Sequence, residues 1–144
     1  DPSILSRSYP ELGGTLGEAL LEPHRCYYPL LEPVLPLIKG MAHITGGGLT
    51  GNVPRVLPEG CTARIDPDTW PVPPIFTFLR ERGDVPVDEM YRTFNMGIGM
   101  ALVCAKADVS GVIAKLIGGG EVGAAPIGEI REGSPAVEYA HWDR

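Results

Sequence analysis

The sequence predicts a single mixed α/β domain, on three observations. Short apolar runs of strand length alternate with stretches of helical spacing along the chain. Nineteen glycines and 15 prolines are scattered rather than gathered in a linker, so the chain turns often and stays in one unit. Its 144 residues, 44% of them hydrophobic, suffice for one domain with its own core. The expected architecture is a mixed sheet with helices packed on it.

Each element has its own warrant. Residues 1–14 are polar and turn-rich and read as a loop. Thr15 followed by Glu18 has the capping-box pattern, so a short helix runs to about Leu21 and stops at Pro23. Leu30, Leu31, Val34, Leu35, Leu37 and Ile38 have helical spacing, against which Pro33 and Pro36 argue. Gly40 hands over to a strand at residues 41–44. A short helix is expected at 49–57, with Pro54 in or near its first turn. Residues 62–65 read as a second strand. Residues 73–82 begin with prolines and meet Gly83, a helix start and stop. Residues 86–94 form another helix, with Asp88 and Glu89 where a helix dipole favours acids. Residues 97–105 are apolar on both faces, as a covered strand should be. From about Asp108, the residues Val109, Val112, Ile113, Leu116 and Ile117 make one helical stripe that Gly118 caps. Two closing strands, 127–131 and 136–139, flank a Gly133-Ser134-Pro135 turn.

Composition excludes several classes of function. A net charge of −6 without a basic cluster gives nucleic-acid binding no electrostatic footing. No apolar run approaches the roughly 18–20 residues that span a bilayer, so no membrane role is expected. No signal peptide is expected from the opening residues. Cys26, Cys61 and Cys104 are odd in number and far apart, which argues against a disulfide framework and a C-x-x-C zinc site; buried or half-buried free thiols in a reducing cytoplasm are expected.

The chemistry concentrates at residues 41–60. An apolar run ends at Thr45 and is followed by Gly46, Gly47 and Gly48. Three consecutive glycines are entropically costly to order, so something should come close to that backbone. One reading is a plain turn. The other is a loop whose amides face an anion, with His43 and Thr45 as flanking donors. Neither a G-x-G-x-x-G unit with its acidic strand end nor a Gly-Lys-Ser/Thr P-loop is present.

The segment Ala42-His43-Ile44-Thr45-Gly46-Gly47-Gly48-Leu49, followed by Asn52-Val53-Pro54-Arg55-Val56-Leu57-Pro58, resembles the signature of the aminoimidazole ribonucleotide synthetase family (phosphoribosylformylglycinamidine cyclo-ligases). Trp70-Pro71-Val72-Pro73-Pro74-Ile75-Phe76 resembles that family's Trp-x-x-Pro-x-(Ile/Val)-Phe. Residues 89–100 resemble its Glu-Met-x-Arg-Thr-Phe-Asn-x-Gly-(Ile/Val)-Gly-Met. Ile127-Gly128-Glu129-Ile130 is similar to its near-terminal Ile-Gly strand. The resemblance spans almost the whole chain. Residues 118–126 depart from it by one extra residue, which puts the local strand in doubt.

The resemblance implies the fold of that family's carboxy-terminal domain. Residues 1–144 are then expected to be most of that domain, cut after its first elements, with an amino-terminal ATP-binding and dimerisation domain absent. Consistently, the chain opens on Asp rather than Met. The implied reaction is ATP-dependent closure of formylglycinamidine ribonucleotide to aminoimidazole ribonucleotide, with release of ADP and phosphate. ATP and Mg2+ are implied, held largely by the other domain, as are a homodimer of the full-length enzyme and a cytoplasmic location. His43 takes the active-site role, and Thr45, Gly46, Gly47 and Gly48 contact substrate or phosphate. Asn52 is either a substrate contact or a turn-former. Arg55 either neutralises phosphate or pairs outward, and Arg92, Thr93 or Asn95 edge the cleft or serve structure. Asp66 and Asp68 read as an exposed turn, with a part in holding Mg–ATP left open. His24 and His141, without a partner pattern, read as surface residues. Related members of the superfamily (formylglycinamidine ribonucleotide synthetase, selenophosphate synthetase, hydrogenase-maturation proteins) and a non-catalytic binding module are the alternatives; the Glu-Met-x-Arg-Thr-Phe-Asn block weighs against the former.

Overall fold

Thirteen regular elements follow one another in the computed structural model, which describes residues 2–141: β1 (Ser8–Tyr9), β2 (Gly14–Thr15), α1 (Leu16–Leu20), α2 (Tyr28–Leu31), β3 (Ile38–His43), α3 (Gly48–Asn52), β4 (Cys61–Ile65), α4 (Pro74–Gly83), α5 (Val87–Thr93), β5 (Met100–Cys104), α6 (Val109–Gly118), β6 (Gly128–Glu132) and β7 (Val137–Tyr139). The mixed α and β character agrees with the sequence reading. The strands divide into three small sheets, however. β1 pairs with β2, β3 pairs antiparallel with β5, and β4 lies between an antiparallel β6 and a parallel β7.

Local chemistry explains most of the elements. α1 starts at the expected capping box: the Thr15 hydroxyl accepts the Glu18 amide at 3.1 Å, and the Glu18 carboxylate accepts the Thr15 amide at 2.8 Å. The helical spacing at 30–38 yields only α2 and a 3-10 turn at Leu35–Leu37, because Pro33 and Pro36 interrupt the backbone ladder. The stretch after the glycines likewise breaks into α3 and a 3-10 turn, Val53–Val56, at Pro54. The left-handed residue that ends α4 is Asp84 (φ 49°), one beyond the expected Gly83. α6 runs through Gly118 and caps at Gly119. Residues 2–14, expected as loop, carry β1 and the start of β2, which pair as a short ribbon. Tyr9 anchors it, its ring 4.6 Å from Phe78 of α4 and covered by the Arg82 guanidinium at 5.5 Å. The closing strands flank their turn as expected, but each pairs with β4 rather than with the other. Asp1 lies outside the described residues.

Two apolar clusters make the core. Ile44, Leu49, Trp70, Met90 and Tyr91 centre one; Leu31, Val34, Val112 and Leu116 centre the other. Trp70 is fixed by its indole N–H, which donates to the Met96 carbonyl at 2.9 Å. This larger cluster sits directly under the end of β3 and holds α3 against α5. Burial of apolar side chains at about 25 cal/mol per Å² therefore stabilises the elements that carry both long sequence motifs.

Candidate functional site

Strand alternation sets the first residue of the site. Along β3 successive side chains point to opposite faces, so buried Ala42 and Ile44 leave His43 exposed between them. The Ile44 amide donates to the Gly99 carbonyl at 2.9 Å, which carries the pairing one residue past β3. The chain then leaves the sheet at Thr45.

The three glycines sit under different constraints, and the backbone requires two of them. Gly48 has φ +56°, and a Cβ there would collide with the Tyr91 carbonyl oxygen and lie 2.6 Å from that of Phe94. The close approach predicted for this loop is thus made, at Gly48, by the protein's own α5. Gly47 has φ +100°, a conformation that side chains disfavour. Gly46 has no positive φ and nothing within 4 Å of where a Cβ would be. It is the glycine that faces open space.

Asn52 holds the loop. It is buried, and its amide nitrogen lies 2.8 Å from the Gly48 carbonyl and 3.3 Å from those of Thr45 and Gly46. Of the two roles open to Asn52, the structure shows the turn-forming one. The Gly48 amide is also committed, donating to the Thr45 carbonyl at 3.0 Å. Gly48 is buried, so its amide does not face an incoming anion. The amides of Gly46 and Gly47, by contrast, meet no hydrogen-bond partner among the described residues.

A cleft of about 460 Å³ opens beside the loop. His43, Ile44, Thr45 and Gly46 form one wall, Thr93, Phe94 and Asn95 another, and Phe76 and His24 complete it. The two long motifs, far apart in the chain, therefore meet in one place. α5 ends at Thr93, whose hydroxyl donates to Glu89 at 3.1 Å. Asn95 then turns the chain, its side-chain oxygen accepting the Gly97 amide at 3.0 Å. Phe76 packs on Phe94 with ring centroids 6.0 Å apart, and the half-buried pair, packed on the larger core cluster, gives the cleft an apolar floor. Arg92 pairs with Glu89 at 3.7 Å on the exposed side of α5, and Arg55 reaches toward the Asn52 side-chain oxygen at 3.4 Å. Neither arginine lines the cleft.

His24 departs from the sequence expectation. It is exposed but not unpartnered: its Nε2 lies 2.7 Å from the Nε2 of His43. No spacing signal links them, because His24 sits in a segment without regular structure between α1 and α2. Tyr27 supports the same corner, its ring 5.6 Å from His24 and its hydroxyl packed where a Cβ on Gly99 would lie. Burial raises the Tyr27 phenol above its ordinary value, so it stays protonated.

The lining supplies imidazoles, two threonine hydroxyls, one carboxamide and free backbone amides, with no carboxylate and no lysine or arginine. That set suits hydrogen bonding and proton exchange with an anionic or carbonyl group. It lacks the hard oxygen ligands that Mg2+ takes. Asp66, Asp68 and His141 do converge within 4.8 Å of one another, but they lie outside the cleft lining, and the Asp66 carboxylate already accepts the Asp68 amide at 3.1 Å. No described helix is long and apolar enough to cross a membrane.

Comparison with known proteins places this geometry in a lineage. The family described as "AIR synthase related protein, C-terminal domain" matches residues 3–140. A phosphoribosylformylglycinamidine cyclo-ligase of Desulfitobacterium hafniense is 48% identical over 143 residues, covering 96% of this chain and 41% of the relative. One of Burkholderia lata is 50% identical over 125 residues, covering 82% and 36%. One of Alkaliphilus oremlandii is 47% identical over 129 residues, covering 88% and 38%. The chain thus spans about two fifths of the length of the curated relatives it matches. Among solved structures, E. coli HypE, a hydrogenase maturation protein, shares the fold with a TM-score of 0.62 at 21% identity, covering 95% of this chain and 45% of that one. With the whole described fold matched from residue 3 to residue 140, the chain belongs to the AIR synthase related family and corresponds to its C-terminal domain.

Proposed function

We propose that this chain is the carboxy-terminal domain of a phosphoribosylformylglycinamidine cyclo-ligase, and that its cleft forms one wall of the substrate site. The observation that carries the reading is the convergence of residues 43–46 with residues 93–95 around one cleft. Relatives that bear the cyclo-ligase name at 47–50% identity support it.

In this reading the substrate is formylglycinamidine ribonucleotide. ATP phosphorylates the formyl oxygen, the amidine nitrogen attacks that carbon, and loss of phosphate leaves the imidazole ring. The Gly46 and Gly47 amides and the Thr45 hydroxyl donate to anionic oxygens of the substrate or of the phosphorylated intermediate. His43 exchanges the proton that the attacking nitrogen sheds. The apolar Phe76–Phe94 floor keeps water from the activated carbon. The cleft has no cation and no carboxylate to hold a triphosphate with its Mg2+, so both belong to an amino-terminal domain, and no step is assigned to Mg2+ here. A cytoplasmic homodimer is the expected assembly. HypE supports the fold and carries no argument for a maturation role.

The test is ATP-dependent cyclisation by the chain alone and by the chain joined to a cyclo-ligase amino-terminal domain. Turnover is expected only in the joined protein. Turnover by the isolated chain, or none when the halves are demonstrably assembled, contradicts the division of labour.

A further inference from the structure

The two cleft histidines meet end on. Their ring centroids are 4.8 Å apart while their Nε2 atoms are 2.7 Å apart, so the rings touch at their nitrogen corners rather than stacking. At that separation one Nε2 carries a hydrogen and the other a lone pair, and the rings take complementary tautomers. Each Nε2 is spent on the other, so Nδ1 is the only ring nitrogen that His43 can offer the cleft. Among the described residues neither Nδ1 has a hydrogen-bond partner.

The segment that presents His24 is anchored just after it, at two residues. Arg25 pairs with Glu121 in the loop after α6, and Tyr27 wedges its phenol against Gly99, on the strand end next to β3. Two attachments of residues 25–27 to the body of the domain therefore hold His24 against His43.

We propose that His24 is the positioning partner of His43 and that the pair relays a proton between cleft and solvent, an inference that rests on the cleft reading above. As the ring closes, His43 Nδ1 takes the proton shed by the attacking nitrogen. The His43 Nε2–H passes to His24 Nε2, and the His24 Nδ1–H leaves to water. The shared hydrogen now sits on His24, and His43 presents Nδ1–H as a donor. Giving that proton to the departing phosphate, while His24 returns the shared hydrogen and regains one from water, restores the first state. Charge and atoms balance, and neither imidazole need become a cation.

Nitrogen-resolved imidazole spectra of the full 144-residue chain test the pairing directly. One ring is expected as the Nε2–H tautomer and the other as Nδ1–H, with a nitrogen–nitrogen coupling across the hydrogen bond. His24→Leu should abolish the coupling and release His43 to a mixture of tautomers. His24→Gln should hold the His43 orientation through its amide. Two rings in the same tautomer without coupling, or His43 signals unchanged in His24→Leu, overturn the proposal. His24 is exposed, so neither variant endangers the core, and backbone amide spectra verify the fold.

Kinetics of the chain joined to its amino-terminal domain test the relay. Both variants should lower kcat by about 10²-fold, the lower end for lost acid–base catalysis, with KM nearly unchanged. Full kcat in His24→Gln overturns the relay and leaves positioning alone. A joined wild-type protein that does not cyclise the substrate overturns the cleft reading and the relay with it, while the coupling still decides the pairing.

Discussion

Replacing Asn52 by alanine probes the device that shapes the site. Its carboxamide nitrogen has two hydrogens and faces three carbonyls, at 2.8 Å for Gly48 and 3.3 Å for Thr45 and Gly46. The short bond to Gly48 is buried, so losing it removes about 1 kcal/mol of net hydrogen bonding, while the Gly48 carbonyl keeps its helical bond from the Asn52 backbone amide. Thr45 and Gly46 are exposed, so water takes over their carbonyls at little loss. The truncation also leaves a small cavity in a buried position. The sum is about 1–2 kcal/mol, or a Tm lowered by about 2–8 °C at about 2–4 °C per kcal/mol for a domain of this size. Thermal unfolding followed by circular dichroism measures it. The isosteric Asn52→Asp sharpens the test, because an ionised carboxylate would face three carbonyl oxygens. Its folded pKa should therefore rise above the aspartate value of about 3.9, so this variant should lose stability as pH rises through that window. An Asn52→Ala protein within 0.5 kcal/mol of wild type, about the spread for neutral surface sites, would refute the clamp.

Adjacent glycines should respond in opposite ways. Gly48→Ala meets the Tyr91 and Phe94 carbonyls at a positive φ and should destabilise the domain by about 3–5 kcal/mol, measured by urea unfolding. Gly46→Val should leave stability within about 0.5 kcal/mol, because its side chain enters open space, yet should weaken substrate binding in the joined enzyme by blocking approach to the amides. The Glu18 carboxyl lies below its ordinary value because it accepts the Thr15 amide and then the Thr15 hydroxyl. Its contribution is in place above the unfolded carboxyl value of about 4.3 and is lost as pH falls through the lowered one. Glu18→Gln should flatten that part of the acid unfolding profile, and an unchanged profile would count against the capping box.

Much of the fold could be read locally. The strands expected at 41–44, 62–65 and 97–105, found at Ile38–His43, Cys61–Ile65 and Met100–Cys104, the capping box at Thr15 and the proline-initiated α4 all rest on signals within a few residues. What escaped is set at long range. Nothing near Gly128 or Val137 announces that β4 inserts between their strands. The ribbon of β1 and β2 forms because Tyr9 finds Phe78 and Arg82, 69 or more residues away in sequence. The glycine loop was legible as a constraint, but not which of its glycines the fold requires. Only the packed structure separates Gly48, pressed on α5, from Gly46, open to the cleft. His43 was legible from its place at a strand end before the glycines. His24 was not, since its role depends on the placement of an irregular segment.

A structure of the chain joined to its amino-terminal domain, with formylglycinamidine ribonucleotide bound, tests the central claim most directly. The account predicts an anionic oxygen within about 3 Å of the Gly46 or Gly47 amide nitrogen, with the reacting carbon in the same cleft as His43. A ligand bound elsewhere, with that cleft filled by water alone, would contradict it.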